Sequence, residues 1–289
     1  MKNARRYHLF SDYLRNRFGD RLQRVTLSGG LVCPNPDGPS ACDYCQGARE
    51  ADPSWGRGAP PHEQIRRGIN FSKRNHHLEP HLHVTIPNHQ ALPPDLEHLE
   101  ATLATVAGVP EVSVVSFWTR TEWADEGVTS LLARFADDAL EIWLELDDAP
   151  DTWPAARPEE LRYGVQVDLG LGPAPAPANG HSAEVAARLV QQLKPDAVGI
   201  KAPAVVAGTS EADLYENGKL DDVELDDFAA RAAEFLERIP KDVAVHPLVL
   251  NAPGDSIVAP HWVHNRQKVE EAVSLALEAR GAVQGGKAE

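Results

Sequence analysis

Short runs of β-branched and aromatic residues alternate with helix-length amphipathic segments along nearly the whole chain. The β runs are Arg24–Ser28, Leu82–Ile86, Val112–Trp118, Glu141–Leu146, Tyr163–Leu169, Ala197–Lys201 and Val243–Leu250. Helical periodicity covers 61–74, 94–106, 125–136, 182–193, 225–238 and 264–280. Strands joined through helices of this length pair in parallel, because the crossover returns the chain to the same edge of the sheet. Val112-Ser-Val-Val-Ser-Phe-Trp118 has the composition of a strand covered on both faces. The pattern predicts an α/β fold, an open or closed (β/α) barrel, in one domain over residues 1–280. Two stretches break the rhythm. Asp147–Pro158 carries three prolines and cannot hold a helix throughout, and Pro173–Gly180 reads as a stiff connector. Both follow strand ends, where such barrels carry functional loops. Residues 281–289 are expected to fray.

Composition and charge exclude several classes. With 42% hydrophobic and 25% charged residues the chain has a globular make-up. No run of 18 apolar residues codes a membrane span, and no apolar segment follows the basic start, so a cytoplasmic location is expected. A net charge of −15 argues against a generic nucleic-acid coat. The charge is uneven, however: residues 1–75 carry 13 Lys and Arg against 7 Asp and Glu, leaving −21 on the remainder. In the basic N-terminal region 1–24, Arg5, Arg6, Arg15, Arg17, Arg21 and Arg24 form either a solvated helix face or an anion-facing surface.

All three cysteines fall within thirteen residues, as Cys33-Pro-Asn-Pro-Asp-Gly-Pro-Ser-Ala-Cys42-Asp-Tyr-Cys45, in a loop over 31–47 behind the first β run. Three cysteines make no closed disulfide framework, and thiolates so concentrated suit one inorganic centre. A structural zinc site would need a fourth ligand, a histidine from elsewhere. A [4Fe-4S] cluster on three thiolates keeps one iron open to another ligand.

Here the sequence resembles the YhcC/YtqA-type radical S-adenosylmethionine (SAM) proteins, relatives of the radical domain in the Elongator catalytic subunit. The likeness rests on the cysteine loop and on ordered motifs over residues 7–270. These are Tyr13-Leu-Arg-Asn-Arg-Phe-Gly19, Val25-Thr-Leu-Ser-Gly-Gly30, Thr119-Arg120, Trp143-Leu-Glu-Leu146, Gly199-Ile-Lys201, Gly208-Thr209, Asn217-Gly-Lys-Leu220 and Ala259-Pro-His-Trp-Val-His-Asn-Arg266. The resemblance implies a partial (β/α) barrel of the radical SAM type. It implies a [4Fe-4S] cluster on Cys33, Cys42 and Cys45, with S-adenosyl-L-methionine cleaved to a 5'-deoxyadenosyl radical that abstracts hydrogen from a substrate. It further implies that Glu145 points into the barrel near the adenosyl ligand. Thr119 and Asn35 are the other cofactor-binding candidates, and Arg120 and Lys201, at C-terminal strand ends, are the catalytic candidates. The implied partners are a one-electron donor such as flavodoxin or ferredoxin and tRNA or another anionic substrate, with no membrane. A non-catalytic iron–sulfur protein and a zinc-bound structural module are the competing readings.

Several positions depart from the family pattern. Only eight residues separate Cys33 from Cys42, a shorter loop than the family's. Trp118 replaces the glycine before Thr119-Arg120. His83-Val-Thr-Ile-Pro-Asn-His89 replaces an aromatic, Thr-rich second strand, and Asp147-Asp148-Ala149 stands where the family has Gly-Leu-Gln. The block after Lys201 lacks the family's histidines and second lysine.

Other candidates follow from the residues themselves. Five histidines cluster at His76, His77, His81, His83 and His89, and His81 and His83 share a strand face, as a metal pair or as a polar strand end. Glu145 falls inside a buried strand, where a carboxylate needs a partner. It serves either a ligand or a salt bridge to Arg120 or Lys201. Trp262, Asn265 and Arg266 serve either substrate contact or attachment of the last helix. Gly29-Gly30 lacks the spacing of a dinucleotide site.

Overall fold

The computed structural model describes residues 6–19, 21–27, 59–76, 81–88, 93–171, 182–207, 210–248 and 257–288. Cys33, Asn35, Cys42, Cys45, His77, His89 and the 173–180 connector lie outside these residues. Strands and helices alternate as the sequence predicts. Strands β1 (Gln23–Thr26), β2 (Leu82–Asn88), β3 (Val112–Thr119), β4 (Glu141–Leu146), β5 (Leu161–Val167) and β6 (Ala197–Ile200) match six of the seven β runs. Helices are α1 (Phe10–Phe18), α2 (Pro61–His76), α3 (Leu96–Ala107), α4 (Glu126–Ala133), α5 (Ala183–Leu193), α6 (Ser210–Glu216), α7 (Leu225–Leu236) and α8 (Arg266–Ala279). With β7 (Val205–Val206), β8 (Ala244–Val245) and β9 (Ile257–Ala259), the strand order is β1-β2-β3-β4-β5-β6-β8, with β7 and β9 pairing separately and antiparallel.

In the described part of the seventh run the ladder stops at β8, because Pro247 has no N–H to continue it. The pair β7–β9 and helix α6 carried too little periodicity to be read from sequence. A single domain was expected over 1–280. The described residues from Leu14 to Gly164 form one compact unit, and those through Tyr13 with those from Val165 onward form another. The division falls inside β5, so no linker composition announces it.

In the first unit the parallel strands β1 to β4 have two contrasting faces. Val25, Val84, Ile86, Val115, Phe117, Ile142 and Leu144 are buried on one. Helix α2 approaches this face so closely at Gly68 that a Cβ there would overlap Val25. The opposite face is polar although buried. Thr26, Thr85, Ser116 and Trp143 form one row across the four strands, and Glu145 lies one step further along β4 on the same side. Side-chain caps start the covering helices. Asp95 accepts hydrogen bonds from the Glu97 and His98 N–H groups, and Asp125 from that of Val128.

The second unit holds β6 beside β8, with Leu9 bridging to Val245. Here the end of the chain is a correction: residues from Gly281 onward, expected to fray, are tied down. Gln284 is buried and donates to the carbonyls of Pro240 and Val243 at 2.8 Å, and its own carbonyl side chain accepts from the His8 N–H. Lys287 reaches Glu237 at 3.0 Å. A short polar tail can be ordered by a few buried hydrogen bonds, which composition does not reveal.

Glu237 is 1% exposed and also meets Arg280 at 2.6 Å and Arg238 at 2.8 Å. The Arg280 hydrogen bonds, aided by Lys287 against the opposing effect of burial, hold its carboxyl down at about 2 from 4.5. A depressed folded-state value stabilises the protein above pH ~4.5, and this is lost as pH falls toward ~2. The full shift would be worth about 3 kcal/mol, and partner heads 25–60% exposed reduce this to roughly 1–2 kcal/mol. Denaturant melts of wild type and Glu237→Gln should therefore differ at pH 7 and converge between pH 4.5 and 2. A difference independent of pH would assign the loss to shape alone.

Candidate functional site

The C-terminal ends of β3 and β4 are joined by a compact set of polar groups. Thr119, fully buried, accepts a hydrogen bond at 3.1 Å from the buried Asn88 amide on β2. Its carbonyl accepts the Asp147 N–H at 3.1 Å. The Asp147 carboxylate in turn accepts the Thr121 N–H at 3.2 Å, and the Thr121 hydroxyl donates to the Asp148 carbonyl at 2.9 Å. Asp147-Asp148 thus lock the turn after β3 (Thr121–Trp123) to the end of β4. Arg120 enters that turn in extended backbone and pairs with Glu122 at 2.6 Å, its side chain 29% exposed.

Glu145 is completely buried, opposite Trp118 in the β3–β4 register. It fits because of Gly164 on β5, where a Cβ would overlap the carboxylate. A carboxylate this deeply buried needs hydrogen-bond donors, whether from protein or from a ligand. In the second unit the same device recurs: the Gln166 amide lies where a Cβ at Gly199 of β6 would be. Lys201 follows β6, its N–H donating to the Val167 carbonyl at 2.9 Å and its side chain half-buried. Gly164 and Gln166 escaped sequence reasoning. A glycine inside the Tyr163–Val165 run was the available signal, since such a residue marks a close approach.

The histidines that share a strand face are anchored singly. The His81 ring meets the Ser113 hydroxyl at 2.9 Å and the buried His83 ring meets that of Ser116 at 2.8 Å. Among the described residues no group of three or more His, Cys, Asp or Glu side chains is arranged for a metal. The Trp262 block attaches the last helix. The Trp262 indole N–H donates to the Val223 carbonyl at 2.8 Å and its ring lies 5.0 Å from that of Phe228. Asn265 caps α8 by accepting from the Lys268 N–H, and Arg266 pairs with Glu270 at 2.6 Å.

Parallel strands β1 to β4, a polar inner row and charged groups at the strand ends define an α/β fold whose relatives are identifiable. Residues 195–278 match the Radical_SAM C-terminal domain. In structure the chain is similar to archaeal Elp3 of Methanocaldococcus infernus carrying an N-terminal deletion. The TM-score is 0.54 at 13% identity, over 78% of this chain and 60% of that one. The chain thus spans about 60% of the length of that Elp3 chain. This is the partial (β/α) barrel of the radical SAM proteins. The protein YtqA of Bacillus subtilis is 24% identical over 97% of this chain and 92% of its own length, and YhcC of Escherichia coli K12 is 24% identical over 90% and 88%. The chain is a divergent relative of YtqA and YhcC. No helix among the described residues is long and apolar enough to cross a membrane.

Proposed function

We propose that the chain is a radical SAM enzyme whose Cys33, Cys42 and Cys45 hold a [4Fe-4S] cluster, with S-adenosyl-L-methionine bound beside it. The observation that carries the reading is the donor set. The chain's three cysteines lie in one thirteen-residue segment directly following β1, in a chain with the radical SAM fold. Three thiolates suit a four-iron cluster with one iron left for an outside ligand, and they fall one short of a closed zinc site. When bound and reduced, the cluster supplies the electron that cleaves SAM to methionine and a 5'-deoxyadenosyl radical.

The residues of the chain bind, orient and shield. Glu145 is a fixed acceptor for ligand hydroxyl or amine groups, made possible by Gly164. Thr119 and Asn35 are assigned to ligand contact near the strand ends. Arg120 and Lys201 are the cations that would meet an anionic part of the substrate, tRNA being one substrate of that kind. An external one-electron donor, flavodoxin or ferredoxin, completes the system in the cytoplasm.

The test is anaerobic reconstitution, reduction with SAM and assay for 5'-deoxyadenosine. Iron and sulfide without 5'-deoxyadenosine would support the second reading, a cluster protein without radical chemistry. The departure at Asp147-Asp148, whose hydrogen bonds close the strand ends, is the observation favouring that reading. Stoichiometric zinc without sulfide would remove both. Glu145→Gln should weaken SAM binding by about 1–3 kcal/mol, the range for a charged hydrogen bond, and leave iron content unchanged. Unchanged SAM affinity would make Glu145 structural.

A further inference from the structure

We propose that a cavity in the second unit, lined by Trp262 and by charges of both signs, binds a free α-amino acid with an apolar side chain. The cavity measures about 330 Å³ and lies between two segments of that unit, 222–224 at the entry to α7 and 260–268 at the entry to α8. The first segment contributes the carboxylates of Asp222 and Glu224. The second contributes the ammonium of Lys268 with the side chains of His261 and Asn265. The charges are therefore sorted, acidic on one wall and basic on the other. Asp222, Glu224 and Lys268 are exposed and make no ion pair among the described residues, so the walls do not neutralise each other.

The walls are nevertheless fixed in place. The Trp262 indole N–H is spent on the Val223 carbonyl at 2.8 Å, which ties the two segments together and leaves the ring as apolar surface. The Tyr215 hydroxyl donates to Asp222 at 3.3 Å. The Asn265 side-chain oxygen accepts the backbone N–H of Lys268 at 3.0 Å, which leaves the Asn265 amide hydrogens for an anion. The start of α8 adds positive partial charge on the same wall. A ligand with both an ammonium and a carboxylate satisfies the two walls at once, through charge-assisted hydrogen bonds at each end. Its side chain then meets the indole and the buried Pro260. A ligand of one sign would leave the opposite wall unpaired, and a nucleotide would set its phosphates against Asp222 and Glu224. The volume falls at the lower end of small-molecule sites, which suits an amino acid.

The inference does not depend on the cofactor reading, and its test reads binding by the full chain. Calorimetric titration with leucine, isoleucine, valine and phenylalanine should show binding at millimolar ligand. Methionine is an unsuitable probe, because a SAM site would also hold it. Leucine should bind at least about tenfold more tightly than isopentylamine, which lacks its carboxylate, or isocaproate, which lacks its ammonium. Lys268→Gln should weaken leucine binding about tenfold and leave isopentylamine unchanged. Asp222→Asn with Glu224→Gln should weaken leucine at least as much and leave isocaproate no weaker. Glu271→Gln, exposed on α8 and outside the cavity, should change nothing. No binding of any of the four amino acids, analogues as tight as leucine, or an equal loss of leucine and isopentylamine in Lys268→Gln would overturn the proposal.

Discussion

Replacing Cys42 with Ala should strip the reconstituted protein of most of its iron and sulfide, from about four of each per chain. The effect is large because three thiolates are the minimum set for such a centre, and a cluster anchored by two has two irons exposed to solvent and chelators. Far-UV circular dichroism and the melting midpoint should change little. Strands β1 to β4 are held by buried aliphatic and aromatic side chains such as Val25, Val84, Phe117 and Leu144, whose burial does not depend on sulfur ligation. Iron and absorbance near 400 nm are the measurements. Full iron retention in Cys42→Ala would move the cluster to other ligands and end the assignment of this cysteine.

Gly164→Ala should impair SAM binding as severely as loss of the Glu145 carboxylate itself. A Cβ at position 164 would occupy the space of that carboxylate, and the flexible end of Glu145 yields more readily than the strand. Alanine is otherwise no worse than glycine in a strand interior, so the penalty falls on the carboxylate position and not on the ladder. The expected loss is again about 1–3 kcal/mol of ligand affinity. Combined with Glu145→Gln, it should add little, since both changes remove one interaction. Calorimetric SAM titration of the two single variants and the double variant gives the cycle. Fully additive losses would show that Gly164 acts elsewhere. A collapse of the melting midpoint with normal affinity would show that the contact serves folding.

The order of elements was legible because helix and strand periods differ and each run was long enough to display its own. The run at Glu141–Leu146 agrees with β4 to the residue. The caps at Asp95, Asp125 and Ser182 lie where short polar side chains precede apolar periodicity. The cysteine loop was legible as chemistry, since three thiol-bearing residues in thirteen need no coordinates to be noticed. Those residues and Asn35 lie outside the described structure, so their reading rests on the sequence and the relatives.

What tertiary structure alone decided is which side chains meet across strands. Glu145 and Gly164 are nineteen residues apart in sequence, and nothing local says that the carboxylate needs the missing Cβ. His81 and His83 each meet a serine of the neighbouring strand, a pairing that register sets and local sequence does not. The Trp262 indole donates to a carbonyl thirty-nine residues earlier, a partner that no local pattern names. Gln284 and Lys287 turn an expected frayed tail into a clasp on Pro240, Val243 and Glu237. Periodicity and donor chemistry are properties of neighbours along the chain and survive without a fold. Partnership between distant residues is set by strand register and close approach, which exist only once the chain has folded.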